Sequence, residues 1–221
     1  MMTKVAVVLS GSGFLDGAEI QESVITMLSL DRAGVSYQCL APDIEQLHVV
    51  NHLTGEVSEG ERRNVLVEAA RIARTNVIDI ALANPNEFDA VIFPGGYGAA
   101  KNLSDFAVKG AYSTVQTDVL QFARAFAATG KPMGFVCISP TLIPHIYGAD
   151  ASLTIGSDTD TAAAISEMGG IHVNCPVEDF VVDEERRIVS TPAYMLDVRI
   201  SEAATGIEKL VNKVIEMTNG K

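Results

Sequence analysis

The sequence predicts an α/β fold, a mostly parallel sheet with helices on both faces. Three observations carry this. The runs Val5–Leu9, Tyr37–Ala41, Ala90–Phe93 and Met133–Val136 are almost continuously apolar, as strands covered on both sides are. The longer segments between them repeat their apolar residues at helical spacing. The opening strand–helix–strand unit needs a crossover connection, which sets its two strands parallel. A hydrophobic content of 48% over 221 residues allows a sizeable core, and residues 1–221 read as one domain without repeats, linkers or low-complexity tracts.

In order, strand Val5–Leu9 leads into a Gly11–Gly17 loop and a helix over Glu19–Arg32. Its apolar positions are Ile20, Val24, Met27 and Leu28, and Gly34 stops it. Strand Tyr37–Ala41 is closed by Pro42, and Asp43 to Arg63 is an irregular excursion. Asn64 caps a helix running to Arg74, and Ile78–Leu82 is a weaker strand pattern. The run from Phe88 to Phe93 ends in Pro94-Gly95-Gly96-Tyr97-Gly98, after which Ser113–Thr129 reads as a helix. Met133–Val136 delivers Cys137 to a corner where Ile138-Ser139-Pro140 open another helix, proline being tolerated in a first turn. Ser152–Ile155 and Ile171–Asn174 are short strands around a helix at Thr159–Met168. Phe180 to Ser190 is a hairpin about a charged turn, and Ile200–Met217 is the last helix.

Composition excludes several functions. A formal net charge of −12 argues against nucleic acid and anionic membranes as partners, where a basic patch would be expected. No apolar run approaches the roughly 18 residues of a membrane span, and the opening segment reads as a core strand rather than a signal peptide. The three cysteines, Cys39, Cys137 and Cys175, are odd in number and far apart. They suit a reducing compartment, and the expected localisation is cytoplasmic.

The motifs narrow the chemistry. Gly11-Ser-Gly13-Phe-Leu-Asp16 imitates a dinucleotide fingerprint, but Asp16 stands where the third glycine belongs. Gly95-Gly-Tyr-Gly-Ala-Ala-Lys101 lacks the Gly-Lys-Ser/Thr of a phosphate-binding loop. Neither supports a nucleotide, and no cofactor is expected. His48 and His52 sit four apart, but the segment does not read as a helix and no metal site is expected. His145 and His172 are candidate bases that no spacing demands. Paired glycines at a parallel strand's carboxyl end can offer bare N–H groups to an oxyanion. Cys137, at a strand-to-helix corner, gains N–H groups and a helix end that favour its nucleophilic thiolate. Glu22 follows the Gly-rich loop and would become a proton carrier if buried beside that cysteine. Glu19 competes with it, because the two are nearly one helical turn apart.

Three segments together resemble the ThiJ/PfpI superfamily, within the class I glutamine amidotransferase-like fold. They are Gly17-Ala-Glu-Ile-Gln-Glu22-Ser-Val, Phe93-Pro-Gly-Gly-Tyr-Gly-Ala-Ala-Lys-Asn-Leu-Ser104 and Gly134-Phe-Val-Cys137-Ile-Ser-Pro-Thr141. Asn51-His-Leu-Thr-Gly-Glu56, Arg63-Asn-Val-Leu-Val-Glu-Ala-Ala-Arg71 and Ser190-Thr-Pro-Ala-Tyr-Met195 are similar to its enhancing-lycopene-biosynthesis branch, also called sigma cross-reacting protein. The resemblance implies a flavodoxin-like three-layer sandwich and a homodimer. It implies Cys137 as elbow nucleophile, Glu22 as its carboxylate partner, and N–H groups of Gly95, Gly96 and Ile138 around the site. It also implies a cofactor-independent glyoxalase activity and an indirect link to isoprenoid production. Ile138 replaces the histidine that proteolytic or chaperone-like relatives carry after the nucleophile, and nothing after His172 offers the His and Glu pair of true glutaminases.

Three functions compete on this basis. The first is glutathione-independent conversion of a small 2-oxoaldehyde, such as glyoxal or methylglyoxal, to a 2-hydroxy acid. The others are a glutaminase-like amidotransferase domain and a non-catalytic regulator whose Cys137 is oxidised rather than turned over.

Overall fold

A computed structural model describes residues 3–219. Strand β1 (Lys4–Val8), helix α1 (Ile20–Arg32) and strand β2 (Ser36–Ala41) form the opening unit, followed by the short β3 (Val50–Asn51) and β4 (Glu56–Val57). Then come α2 (Val65–Ile72), β5 (Val77–Asp79), β6 (Ala90–Phe93), α3 (Tyr97–Lys101), α4 (Phe106–Lys109) and α5 (Thr117–Ala127). The remainder is β7 (Met133–Val136), α6 (Ile143–Tyr147), β8 (Ser152–Leu153), α7 (Thr159–Glu167), β9 (Ile171–His172), β10 (Val181–Asp183), β11 (Ile188–Thr191) and α8 (Ile200–Asn219). The main sheet runs β10-β11-β7-β6-β1-β2-β5, parallel throughout except for β10 on β11.

The four runs expected to be central are neighbours in the middle of this sheet, as their apolar character requires. Alternation across β1 separates two cores. Val5 and Val7 pack with α1, α2 and α8 on one face, while Ala6 and Val8 pack with Phe88, Phe122, Phe126 and Phe135 on the other. Chain order reverses between β1 and β6, because β1 hands on to β2 on one side while β6 and β7 continue on the other. A parallel sheet opens a crevice at such a reversal, outside the carboxyl ends of its strands.

Several elements differ from expectation for local reasons. Only Val77–Asp79 of the fifth strand pairs with the sheet, since the Asp79 carboxylate caps a 3₁₀ turn at Ile80–Leu82. The α5 helix starts at Thr117 rather than Ser113, where the Gln116 side chain accepts the Val119 N–H. The segment after Cys137 is a 3₁₀ turn, Ser139–Leu142, before the short α6. The strands at Ser152 and Ile171 pair with each other, outside the main sheet.

Helix α1 is the largest correction. Its apolar Ile20, Val24 and Leu28 are exposed, and its inward face carries Glu22, Ser23, Thr26, Met27, Ser29 and Leu30. Ser23 and Ser29 can be buried because each hydroxyl donates to a carbonyl one turn back, at 2.6 and 2.8 Å.

Helix α8 covers β7 and β11 with Ala203, Ile207, Leu210, Val211 and Val214, and its Gly206 faces the chain before β10. A methyl group on Gly206 would lie 2.1 Å from the Val177 carbonyl oxygen and 2.8 Å from Thr191 Oγ1. Alanine for glycine inside a helix ordinarily stabilises by about 1 kcal/mol. Here Gly206→Ala should instead destabilise by about 1–3 kcal/mol, seen as a lower urea midpoint at unchanged m-value.

Candidate active site

The site lies where β6 and β7 end beside the first turns of α1. Cys137 follows β7 with φ of +64°, in the left-handed region that a side chain avoids unless its surroundings hold it there. Two contacts do so. The Cys137 N–H donates to the Thr191 carbonyl at 2.9 Å, tying the corner to β11. Buried Ser139 Oγ accepts the Val136 N–H at 2.9 Å and lies 2.8 Å from the Phe93 carbonyl, bridging the ends of β6 and β7.

The Glu22 side chain, fully buried, comes from the inward face of α1 and meets Cys137 over Gly95. Its Oε2 accepts the Gly95 N–H at 2.9 Å and its Oε1 the Tyr194 N–H at 3.3 Å. The N–H groups of Gly96 and Ile138 are directed at the Cys137 sulfur. The five residues expected at the site therefore meet, with one refinement: the Gly95 donor serves the carboxyl group and the Gly96 and Ile138 donors serve the sulfur.

Gly95 is required by proximity. A Cβ there would sit 2.3 Å from Cys137 Cβ and 2.7 Å from Glu22 Oε2. The Tyr194 donor is presented by Ala193, another left-handed residue with φ of +42°. The motif Ser190–Met195 contains this residue, but nothing in its composition announces a backbone donor for Glu22.

Burial raises Glu22 to about 8, helped by the negative charge of Glu19, against the opposing backbone donors. Burial also raises the Cys137 thiol well above its ordinary value, with Glu22 adding to the rise and the Gly96 and Ile138 N–H groups working against it. The corner was expected to make a resting thiolate; desolvation outweighs its donors, so the two acids together hold protons near neutrality. Cys39 and Cys175 are also free, and burial pushes them to about 12 and about 11.

Glu19 is resolved from Glu22 by its job. It is the N-cap of α1, its Oε2 accepting the Glu22 N–H at 2.6 Å, and it is half-buried at the rim. A cleft of about 380 Å³ opens onto Cys137, walled by Phe14, Tyr97, Phe106, Ile138, Tyr194 and Met195, with Glu19, Asp158 and Thr161 also reaching it. Phe14, Tyr97, Ile138, Tyr194 and Met195 fall inside motifs read from the sequence, whereas Phe106, Asp158 and Thr161 lie outside every one of them.

No histidine lines this cleft among the described residues. His145 Nε2 pairs with Ser113 Oγ at 3.1 Å, and His52 tethers the Gly-rich loop by accepting the Leu15 N–H at 3.2 Å. Asp16, where a dinucleotide loop has glycine, accepts the Val50 N–H at 2.7 Å and anchors β3. Among the described residues no cluster of three or more His, Cys, Asp or Glu side chains is placed to hold a metal ion, and no helix is long and apolar enough to cross a membrane.

Comparison with known proteins shows the family and the fold. No protein-family model matches the chain. The chain is 41% identical over 224 residues to the human glutamine amidotransferase-like class 1 domain-containing protein 3, mitochondrial, covering 97% of this chain and 83% of that protein. It is 34% identical over 233 residues to the ES1 protein, mitochondrial, of Danio rerio, covering 98% and 86%. A crystal structure of an isoprenoid biosynthesis protein with amidotransferase-like domain from Ehrlichia chaffeensis superposes with a TM-score of 0.91 at 39% identity, covering 97% of this chain and 99% of that one. Drosophila melanogaster DJ-1beta shares the fold, with a TM-score of 0.55 at 19% identity over 100% and 97% of the two chains. The expectation of a cytoplasmic protein is overturned, because these curated relatives are named as mitochondrial. Free cysteines report a reducing environment, and that property does not single out the cytosol.

The raised Glu22 has a consequence for stability. Its folded value of about 8 exceeds the ordinary 4.5, so the folded state holds a proton that the unfolded chain has released. The associated stability is complete below about 4.5 and is lost as pH rises toward 8, at up to about 1.4 kcal/mol per pH unit. Urea titrations of the parent and Glu22→Gln at pH 5 and pH 8 should show the parent losing ground to the variant as pH rises. A constant difference would contradict the raised value.

Proposed function

We propose that this chain, which belongs to the family of ES1 and glutamine amidotransferase-like class 1 domain proteins within the ThiJ/PfpI superfamily, is a cofactor-independent glyoxalase acting on small 2-oxoaldehydes. The observation that carries the reading is the buried Cys137–Glu22 pair, a nucleophile packed beside a carboxyl group raised to about 8, at the base of an open cleft. A general base works best with its pKa near the working pH.

In the proposed sequence, Glu22 as carboxylate takes the Cys137 proton while sulfur bonds to the aldehyde carbon, then passes that proton to the carbonyl oxygen, giving a hemithioacetal and a carboxylate again. Glu22 then removes the hydrogen from that carbon as a proton, leaving an enediolate, and returns it to the neighbouring carbon while the hydroxyl proton passes from the first oxygen to the second. The product of this shift is a 2-hydroxy thioester. Water cleaves the carbon–sulfur bond, releasing the hydroxy acid and restoring the thiol. No electron acceptor or second thiol is needed. The N–H groups of Gly96 and Ile138, already directed at sulfur, would also face charge developing beside it.

The test is conversion of methylglyoxal to lactate without glutathione, with glutamine offered separately and ammonia measured. Cys137→Ala should abolish turnover, and Glu22→Gln should lower kcat by about 10²–10⁴-fold. Glu19→Gln preserves the cap and removes a charge that holds Glu22 up. It should retain turnover and move the acid limb of the pH profile, which follows ionisation of Glu22, to lower pH. Parent-like turnover by Glu22→Gln from pH 6 to 9 would refute the assigned role, and ammonia release without lactate would favour the glutaminase reading.

A further inference from the structure

The cleft over Cys137 has a definite charge and wall chemistry that the reaction alone does not require. Its volume, about 380 Å³, falls in the range of sites that enclose drug-sized ligands, well beyond the needs of methylglyoxal. Four aromatic rings, Phe14, Tyr97, Phe106 and Tyr194, contribute to its walls, and its ionisable rim consists of the carboxyl groups of Glu19 and Asp158.

No lysine, arginine or histidine lines it among the described residues. The Lys101 ammonium lies over the Tyr97 ring at 5.3 Å, but it donates to the Leu15 carbonyl at 2.8 Å and is offset by buried Asp16. Lys109, on the short helix that carries Phe106, is paired with Asp105 at 2.6 Å. Thr161 hydrogen bonds hold the Asp158 carboxyl below its ordinary range, so it is ionised at neutrality. A wall that is aromatic and negative, without an available cation, repels an anionic substrate while offering ring faces to a flat or positively charged one.

We propose that this cleft selects uncharged or cationic 2-oxoaldehydes bearing an aromatic or similarly flat group, with Asp158 as a determinant of the charge preference. The aldehyde half of this statement rests on the function proposed above. The charge half rests on the cleft alone.

Two measurements on the full chain separate them. The first is labelling of Cys137, read by mass spectrometry of its peptide. The probes are a cationic trimethylammonioethyl methanethiosulfonate and an anionic sulfonatoethyl one. Each forms a mixed disulfide with the sulfur and releases methanesulfinate, so no turnover is involved. With each rate normalised to that of free mercaptoethanol, the cation should be favoured at least about tenfold at low salt. Asp158→Asn should lower that ratio by roughly threefold, because one rim charge is gone while asparagine still caps α7. A ratio near or below one overturns the charge selection, and a ratio unmoved in Asp158→Asn overturns the role of that residue.

The second measurement compares KM for phenylglyoxal, 4-carboxyphenylglyoxal and methylglyoxal. Phenylglyoxal should have the lowest KM, and the carboxylated analogue should be the poorest of the two aromatic substrates. Methylglyoxal preferred over phenylglyoxal overturns the aromatic selection. Retained labelling preference without turnover of any aldehyde defeats the glyoxalase reading and leaves the charge selection standing.

Discussion

Two acids enclosed together, the Cys137 thiol and the Glu22 carboxyl, set the terms for everything around them. Neither can ionise freely without water, and Glu22 makes a charge on Cys137 more costly, while the thiol as donor favours the Glu22 carboxylate. The fold meets this constraint with fixed dipoles, placing two backbone N–H groups on the carboxyl oxygens and two on the sulfur. Such donors need no reorganisation when charge develops, which is how a protein makes an unfavourable ion available on demand.

That arrangement accounts for the irregular backbone nearby. Cys137 and Ala193 both occupy the left-handed region, a cost of about 1–3 kcal/mol each. Both angles aim a group at the same small space, the first its own sulfur and the second the Tyr194 N–H. Gly95 is needed for a different reason, since its missing side chain is what lets Cys137 and Glu22 approach. Ser139 closes the structure beneath them, satisfying a strand-end N–H while bridging to Phe93. Removing water from the pair and tolerating strain at the corner are thus parts of one design.

Much of this was legible in the sequence, for identifiable reasons. The central strands announce themselves because burial on both faces leaves no room for polar residues. The meeting of Cys137, Glu22 and the paired glycines follows once those strands are parallel, because all three lie at carboxyl ends or just after them. Helix α1 misled because an apolar stripe is usually the inward one. Here the inward face carries short polar side chains that bond to their own helix, and Ile20, Val24 and Leu28 stand outside. The pair's resting charge also escaped sequence reading. Local position showed the donors beside Cys137, whereas the desolvation that outweighs them comes from the whole enclosing fold.

The absence of a histidine from the cleft then bears on which reactions suit the site. Hydrolysis of an amide requires a group that takes a proton from the thiol and delivers one to a departing amine. Glu22 can exchange one proton with Cys137, but Glu19 is committed to capping α1, and no imidazole lines the cleft among the described residues. Addition of the thiol to an aldehyde expels nothing, and the later proton shift runs between adjacent carbons of one bound molecule. The final leaving group is the Cys137 sulfur itself, which departs into the N–H groups that face it. A single carboxyl group poised near neutral pH matches the proton traffic of the proposed aldehyde isomerisation, in which the same group takes up and returns each proton.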